Sequence, residues 1–316
     1  MEKIIKNVYP IVILQLILLE CLHSQTADIK FEHITAEDGL SSNIVYDIIQ
    51  DSRGFMWFAT PDGLNRYDGH SIKIYKHSPF DTHSISVNWT QEIYEDRFGE
   101  LWIATVYGGV NRFDPETEKF ISFKQDPANP NSLSHDAVFG ICEDDSGNMW
   151  IGSWDGLNKL IIRNADCFGN QEVKFIHYKH VPDDPNSLSD NRIWTLHYDT
   201  NGILWIGTDE GGLNRFDPKT QTFKRFQHDP DNANSISTNN YIKSIYEDPL
   251  QPGRIFWIAT KRGLNKFDVK NEIFYRYQHD PNNRHSISHN WVMSVLRDNC
   301  YLAQHRLHFF KKQSLA

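Results

Sequence analysis

Ten aromatic and charged residues fall at two kinds of position that recur along the chain while their side chains change. The first kind follows a repeated Asn or Asp, and its members of interest are Trp89, Arg192, Tyr241 and Trp291. The second kind lies just before a repeated glycine, and its members are Tyr107, Trp154, Asp209, Glu210, Lys261 and Arg262. Indole and phenol rings stack on the apolar faces of sugars, while charged side chains bond hydroxyl groups. The set predicts a binding surface for an oligosaccharide or another small ligand.

The alternative for these residues is structural, because aromatic side chains also pack between repeats and loop charges are often only solvated. No residue is assigned a catalytic role, since no spacing supplies a convergent acid/base pair. His-Asp-Pro recurs at residues 228–230 and 279–281, but Gln125 fills the same place in another copy, which argues against catalysis there. The Asp-rich loops lack the ligand spacing of calcium sites, so neither a metal nor a cofactor is expected.

A repeated sequence motif determines where these residues lie in the chain. It reads Asp-x-x-Gly-x-x-Trp, stretched in the fifth copy to Asp248, Gly253 and Trp257, and is followed by Gly-Leu-Asn or a close variant. Its tryptophans are separated by 45, 48, 55 and 52 residues, at Trp57, Trp102, Trp150, Trp205 and Trp257. Repeat periods of roughly 40–50 residues are typical of propeller blades, which need neighbours to bury their faces.

Each copy of the motif predicts short strands joined by tight turns. In the fourth copy Asp199 can bond its own backbone, and Gly202 accepts a positive φ without steric cost. In the strand at residues 205–208, Trp and Gly share one face and Ile and Thr share the other. Because neither face is purely polar, the pattern favours a sheet packed between two others. The chain is therefore predicted to be all-β: a β-propeller of four-stranded blades, with five complete blades and a partial sixth, incomplete or open.

Positions that repeat without variation are expected to build the blades. Asn or Asp stands eight residues before each turn Asp, at Asn43, Asn88, Asp136, Asn191, Asn240 and Asn290. Because short polar side chains readily bond nearby backbone, we predict that these residues hold the loops. Cys142 lies in an apolar strand and is predicted to be a small buried side chain.

Residues 28–298 resemble the two-component regulator propeller repeat family, through the Asp-x-x-Gly-x-x-Trp turn and the Gly-Leu-Asn-Arg-Phe-Asp strand. That family forms the periplasmic sensor region of hybrid two-component histidine kinases of Bacteroidetes. The resemblance implies a ligand sensor that recognises an oligosaccharide, and it implies a homodimer in a full-length receptor anchored in the inner membrane. This chain lacks the kinase motifs, so no enzymatic activity is expected. A protein-interaction scaffold is the alternative, and a propeller lyase or hydrolase is a further one.

The charge and the first residues bear on partners and location. A net charge of −9 and a pI near 5.9 argue against nucleic acid as a partner, because phosphate binding needs clustered Lys and Arg. Residues 1–24 are interpreted as a secretory signal peptide, in which Lys3 and Lys6 precede an apolar run too short for a comfortable membrane span. An uncleaved anchor and a lipoprotein signal at Cys21 are the alternatives. We expect a periplasmic location with no other membrane span.

The repeat stops abruptly after Asp298. Residues 299–316 contain no turn glycine, no tryptophan and no Gly-Leu-Asn, and their composition becomes basic. We interpret this segment as an atypical tail, non-native to the repeat, in a truncated or frame-shifted product; a natural cap is the alternative. Residues 30–34 resemble a lone aromatic strand that would complete a last blade.

Overall fold

The computed structural model describes residues 33–164, 171–297 and 307–309. The chain divides into two compact units, Met1–Thr35 and Ala36–Ala316, and every described strand belongs to the second. Within the described residues the only helix is one 3-10 turn, Ala36–Asp38. The described strands form five four-stranded antiparallel sheets and one two-stranded sheet. This confirms the predicted all-β class and the four-stranded blades.

The blades follow one another in chain order. Blade 1 contains β1 (Asp47–Gln50), β2 (Met56–Thr60), β3 (Gly63–Tyr67) and β4 (Ile72–Tyr75). Blade 2 contains β5 (Thr90–Glu95), β6 (Leu101–Thr105), β7 (Val110–Asp114) and β8 (Lys119–Phe123). Blade 3 contains β9 (Val138–Glu143), β10 (Met149–Ser153), β11 (Gly156–Asn164) and β12 (Gln171–Tyr178). Blade 4 contains β13 (Ile193–Tyr198), β14 (Leu204–Thr208), β15 (Leu213–Asp217) and β16 (Thr222–Phe226). Blade 5 contains β17 (Ile242–Glu247), β18 (Ile255–Thr260), β19 (Gly263–Asp268) and β20 (Ile273–Tyr277).

Each blade begins one strand before its tryptophan strand. The strand that leads into an Asp turn pairs with the tryptophan strand after it, as Tyr94 opposite Trp102 shows. We call this first strand of each blade the inner strand; the inner strands are β1, β5, β9, β13 and β17, and neighbouring ones contact each other. The Asp-Pro-rich loops and the Ser-Ile/Leu-Ser segments therefore connect the last strand of one blade to the inner strand of the next.

The middle strands are buried on both faces, as the mixed side-chain pattern predicts. All five residues of β6 and all five of β14 are buried. The tryptophan of one blade reaches an aromatic ring of the next, for example Trp57 to Phe113 at 5.4 Å and Trp150 to Phe216 at 5.5 Å between ring centroids. Burying one such side chain stabilises the fold by roughly 1.5–3 kcal/mol, so these rings are the main cohesion between blades.

A buried or part-buried carboxylate holds each turn against its tryptophan. In blade 4 Asp199 Oδ2 accepts a hydrogen bond from Trp205 Nε1 at 2.8 Å. Its Oδ1 accepts the backbone N–H groups of Asn201 and Ile203, each at 2.9 Å. Blades 1 to 3 repeat the indole bond at 2.8 or 2.9 Å, and in blade 5, where the turn is longer, it measures 3.4 Å. Gly202 has φ 79°, as the turn requires.

The asparagine of Gly-Leu-Asn ties the entry of each blade to its third strand. In blade 2 Asn111 is fully buried, and its Oδ1 accepts the backbone N–H of Ser86 at 3.0 Å. Its Nδ2 donates to Ser86 Oγ at 2.8 Å. The same backbone bond measures 2.9 or 3.0 Å in the other four blades, at Asn65, Asn158, Asn214 and Asn265. The turn Asp and the Asn of Gly-Leu-Asn, which repeat in every blade, therefore both have a structural role.

One predicted loop-holding residue is wrong. Asn43, Asn88, Asp136, Asn191 and Asn290 each accept a backbone N–H through a side-chain oxygen, at 2.7 or 2.8 Å. In the remaining copy the acceptor is Asn239 rather than Asn240, and it bonds the N–H of His228. The reason is an extra residue, Tyr241, between this asparagine and the inner strand β17, which shifts the count from the turn Asp by one.

A sixth unit follows blade 5. Its entry packs on that blade, since Val292 and Val295 are buried against Ala259 and Leu264. Strand β21 (Val295–Arg297) pairs with β22 (Leu307–Phe309), which lies inside the segment where the sequence departs from the repeat. The predicted signal peptide, most of the predicted strand at 30–34 and the rest of the tail lie outside the described residues.

Replacing Asp199 by alanine is expected to lower the free energy of unfolding by about 3 kcal/mol, because three donors in a buried turn lose their acceptor. Urea denaturation of the full chain measures the change. Asp126→Ala is the matched control: this Asp is exposed and accepts one bond from the N–H of Ala128, so we expect a change within about 0.5 kcal/mol. Equal effects of the two substitutions would contradict the structural role of the buried carboxylate.

Candidate functional site

The two kinds of variable position meet at one end of the blades. This end carries the loop between the second and third strands and the entry to the inner strand, which are joined by backbone hydrogen bonds. The N–H of Val106 donates to the carbonyl of Trp89 at 3.0 Å, and the N–H of Asp209 donates to that of Arg192 at 2.9 Å. The N–H of Trp154 donates to the carbonyl of Ala137 at 3.1 Å. The backbone therefore places the two predicted groups side by side in blades 2, 3 and 4.

Six aromatic side chains from blades 2 to 5 and the sixth unit form a continuous chain of ring contacts at this end. Ring centroids are 6.4 Å apart for Tyr107 and Trp154, 5.3 Å for Trp154 and Phe139, and 4.5 Å for Phe139 and Trp194. Trp194 lies 4.5 Å from Tyr241, which lies 6.0 Å from Trp291. We call these six residues the aromatic arc. Trp89 is outside it and stacks on Tyr46 at 6.3 Å.

The sequence analysis missed the inner-strand members of this surface. Phe139, Trp194 and Lys243 are each the second residue of their inner strand, and all three side chains differ. Lys243 Nζ lies 5.1 Å from the centroid of the Trp194 ring. The same signal, a side chain that varies between matched positions of the repeats, could have found them. It needed to be followed two residues further along the chain from the position after the repeated Asn or Asp.

Tyr241 belongs to the arc because it is an insertion. It is the extra residue before β17, and its φ of 59° lies in the left-handed region, which is uncommon for a residue with a large side chain. Its N–H donates to the carbonyl of Asp209 at 2.7 Å, which ties it to blade 4. The inserted residue therefore places its ring between Trp194 and Trp291.

Arg192 is the centre of a charged network beside the arc. Its Nη1 lies 2.7 Å from Asp209 Oδ2, and its Nη2 lies 2.8 Å from Glu210 Oε2. The other Asp209 oxygen accepts a hydrogen bond from Trp194 Nε1 at 2.9 Å. The guanidinium and carboxylates thus hold one another in fixed orientations next to an aromatic ring, as recognition of hydroxyl groups requires.

Two indole N–H groups of the arc lack an acceptor among the described residues: those of Trp154 and Trp291. A buried donor without a partner costs about 1–3 kcal/mol. Both donors are buried, so neither is presented to a ligand in this arrangement of the side chains.

Two carboxylates lie on the inner strands next to this end. Asp47 Oδ2 accepts the N–H of Ile93 at 2.9 Å, and Glu92 Oε1 accepts the N–H of Ile141 at 3.3 Å, so each reaches the following blade. Glu92 keeps some surface accessible to water but is enclosed by neighbouring strands. This desolvation, together with the charge of Asp47, raises the pKa of Glu92 to about 8, although Lys243 opposes the shift. Burial likewise raises the pKa of Asp47.

The stability of the chain should fall as pH rises toward 8 because of Glu92. Its folded-state pKa exceeds its unfolded one, so above the ordinary carboxyl range the folded state holds more protons. The free energy of unfolding then decreases through this range, by at most about 1.4 kcal/mol per pH unit from this group, and levels off above pH 8. Glu92→Gln should flatten this slope in urea titrations between pH 5 and 8, whereas the exposed Glu116→Gln should leave it unchanged. An unaltered slope in Glu92→Gln contradicts the assignment.

The histidines of the two His-Asp-Pro segments and Cys142 make contacts that are explained by the fold. The His228 and His279 rings contact loop carbonyls through Nδ1, at 2.8 and 2.9 Å. In the part of the chain that the structure describes, no three His, Cys, Asp or Glu side chains are grouped to hold a metal ion. Cys142 is buried with a free thiol, as predicted, and burial raises its pKa. No helix among the described residues is long and apolar enough to cross a membrane.

The sequence profile described as Two component regulator propeller matches residues 39–62, 132–155 and 187–210. Each matched segment runs from the entry of a blade through its tryptophan strand to the loop that follows. The match confirms the repeat type on three of the five complete blades.

Two relatives extend this similarity. Histidine kinase P4 of Formosa agariphila is 33% identical, and the match covers 64% of this chain and 18% of the kinase. The crystal structure of the extracellular domain of the hybrid two component system BT3049 from B. thetaiotaomicron is 26% identical and has a TM-score of 0.65. That match covers 84% of this chain and 39% of the other. The chain thus spans less than a fifth of the kinase and about two fifths of the extracellular domain.

A third similarity concerns the fold alone. Virginiamycin B lyase from Staphylococcus aureus is 13% identical, with a TM-score of 0.51 over 79% of this chain and 73% of the lyase. Blades of this kind therefore occur in an enzyme as well as in the extracellular domain of a two-component system.

Proposed function

We propose that this chain, built from two component regulator propeller repeats, is the ligand-binding part of a sensor in a two-component signal transduction system. The ligand is an oligosaccharide, and the chain binds it without catalysing a reaction. The similarity to an extracellular domain of a hybrid two-component system supports the sensor role. The histidine kinase relative supports the link to two-component signalling.

The observation that carries the ligand assignment is the aromatic arc with Arg192 beside it. Tyr107 is 60% exposed, the Trp154, Trp194, Tyr241 and Trp291 rings are part-buried, and Phe139 is buried between Trp154 and Trp194. The partly exposed rings offer apolar faces that differ in tilt. The Arg192–Asp209–Glu210 network supplies fixed donors and acceptors along the same surface. Sugars present both an apolar ring face and a rim of hydroxyl groups, and this surface offers a partner to each.

Signalling in this proposal requires two arrangements of a larger receptor that differ in their affinity for the oligosaccharide. A ligand shifts such an equilibrium only by its differential affinity. The arc draws its rings from four blades and the sixth unit, so a ligand spanning it favours one arrangement of those elements. We further propose export by residues 1–24 to the periplasm and homodimerisation of the full-length receptor.

Truncation of single rings of the arc should weaken the binding of neutral oligosaccharides. We expect isothermal titration of the full chain with cellotetraose, xylotetraose and β-1,4-galactotetraose to find a ligand, and Trp194→Ala and Tyr107→Ala each to weaken it about tenfold, since a lost stacking ring costs on the order of 1–2 kcal/mol. Phe98→Ala is the matched control, because this ring is 81% exposed at the turn end of blade 2, opposite the arc.

The outcomes separate the functions. Binding that Trp194→Ala and Tyr107→Ala leave intact, with thermal melts like that of the wild type, contradicts the arc as the site. Shortened products in the titrated mixture would identify an enzyme instead. Binding of a protein partner without any sugar would identify an interaction scaffold.

A further inference from the structure

The loop after the second strand carries an acid with a counter-ion in two of the blades. In blade 1 Lys76 Nζ lies 2.7 Å from Asp62 Oδ2, and in blade 3 Lys179 Nζ lies 2.5 Å from Asp155 Oδ2. The lysine follows the last strand of the same blade in both cases. In blade 4 the loop residues Asp209 and Glu210 are instead bound by Arg192. In these three loops each acid therefore lies within ion-pair distance of a cation of this chain.

Blade 5 reverses the charge of this loop and removes its partner. Lys261 and Arg262 occupy the loop, and Gln278 stands where blades 1 and 3 have lysine. The Gln278 amide donates to the backbone carbonyl of Arg262 at 2.9 Å, so it takes over the contact without adding a charge. Both cations are exposed, and neither forms an ion pair with any described residue. The loop thus presents two positive charges that the fold does not use.

These cations stand at the end of the aromatic arc. Lys261 Nζ lies 5.7 Å from the centroid of the Trp291 ring, the last ring of the arc. The N–H of Val292 donates to the carbonyl of Thr260 at 3.0 Å, which holds the Trp291 segment against the base of the loop. A ligand that stacks along Tyr241 and Trp291 reaches the loop with its next ring.

We propose that the loop of blade 5 binds the carboxylate of an acidic sugar, so that the ligand of this domain is a uronic-acid-containing oligosaccharide. The inference rests on the proposed function, because the arc must hold the sugar rings. Lys261 and Arg262 offer a carboxylate positive charge that is not engaged in an ion pair among the described residues. The cations of the other loops, Lys76, Lys179 and Arg192, are already paired with acids. Hydrogen bonds between charged partners are worth roughly twice those between neutral ones, so the carboxylate sets both the orientation and the specificity of the ligand.

The test compares tetragalacturonate with its fully methyl-esterified form, which keeps the rings and removes the charge. In isothermal titration of the full chain we expect the acid to bind about tenfold more tightly than the ester, and the difference to shrink when sodium chloride is raised. The double substitution Lys261→Gln, Arg262→Gln should abolish the preference. Lys270→Gln is the matched control, since it removes a positive charge from the same blade in the turn after β19, at the opposite end.

Each outcome decides between the two proposals. Equal affinities for acid and ester overturn this inference while leaving the oligosaccharide-binding proposal standing. A preference for the acid that survives the double substitution overturns the assignment to Lys261 and Arg262. Absence of binding by both compounds overturns a uronate ligand, and the neutral panel with Trp194→Ala then judges the proposed function separately.

Discussion

The hydrogen bond from a buried tryptophan to the carboxylate of its own turn is the contact on which this fold depends. In blades 1 to 4 the indole N–H of the second strand bonds an Asp oxygen at 2.8 or 2.9 Å, and that Asp also accepts backbone N–H groups of the turn. Without this acceptor the indole could not lie between sheets without an unsatisfied donor. With it, the whole ring is available for the aromatic contacts that join one blade to the next.

The repeated residues hold the blades together. The side chains at the opposite end of each blade can therefore differ from one blade to the next. The asparagine of Gly-Leu-Asn holds the loop backbone there with a buried bond in blades 2 and 3, and the Asn or Asp before each inner strand adds a bond nearer the surface. The loop side chains do not make these bonds, so they can differ in size and charge. The sorting of charge follows from this freedom: blade 4 carries Asp209 and Glu210 around Arg192, while blade 5 carries Lys261 and Arg262.

Repetition explains which parts of the fold and of the candidate site were predictable. A motif present five times determines the strands, the turns and the end of the blade at which Tyr107, Trp154 and Arg192 lie, because errors in one copy are corrected by the others. The insertion of Tyr241 was not predictable, since counting from the turn Asp assigned its neighbour Asn240 to the loop-holding role that Asn239 has. The contacts between Phe139, Trp194 and Tyr241 were also not predictable, because they join different blades and depend on the angle between sheets.

The arc therefore has a property that no single repeat contains. Each of its closest ring contacts crosses from one blade to the next: Phe139 of blade 3 to Trp194 of blade 4, and Trp194 to Tyr241 before blade 5. The bond from the Tyr241 N–H to the Asp209 carbonyl crosses the same boundary. A molecule bound along these rings contacts side chains whose separation is set by the packing between blades rather than within them. Its affinity consequently depends on how the blades are arranged, and by the reciprocity of linkage its binding must act back on that arrangement.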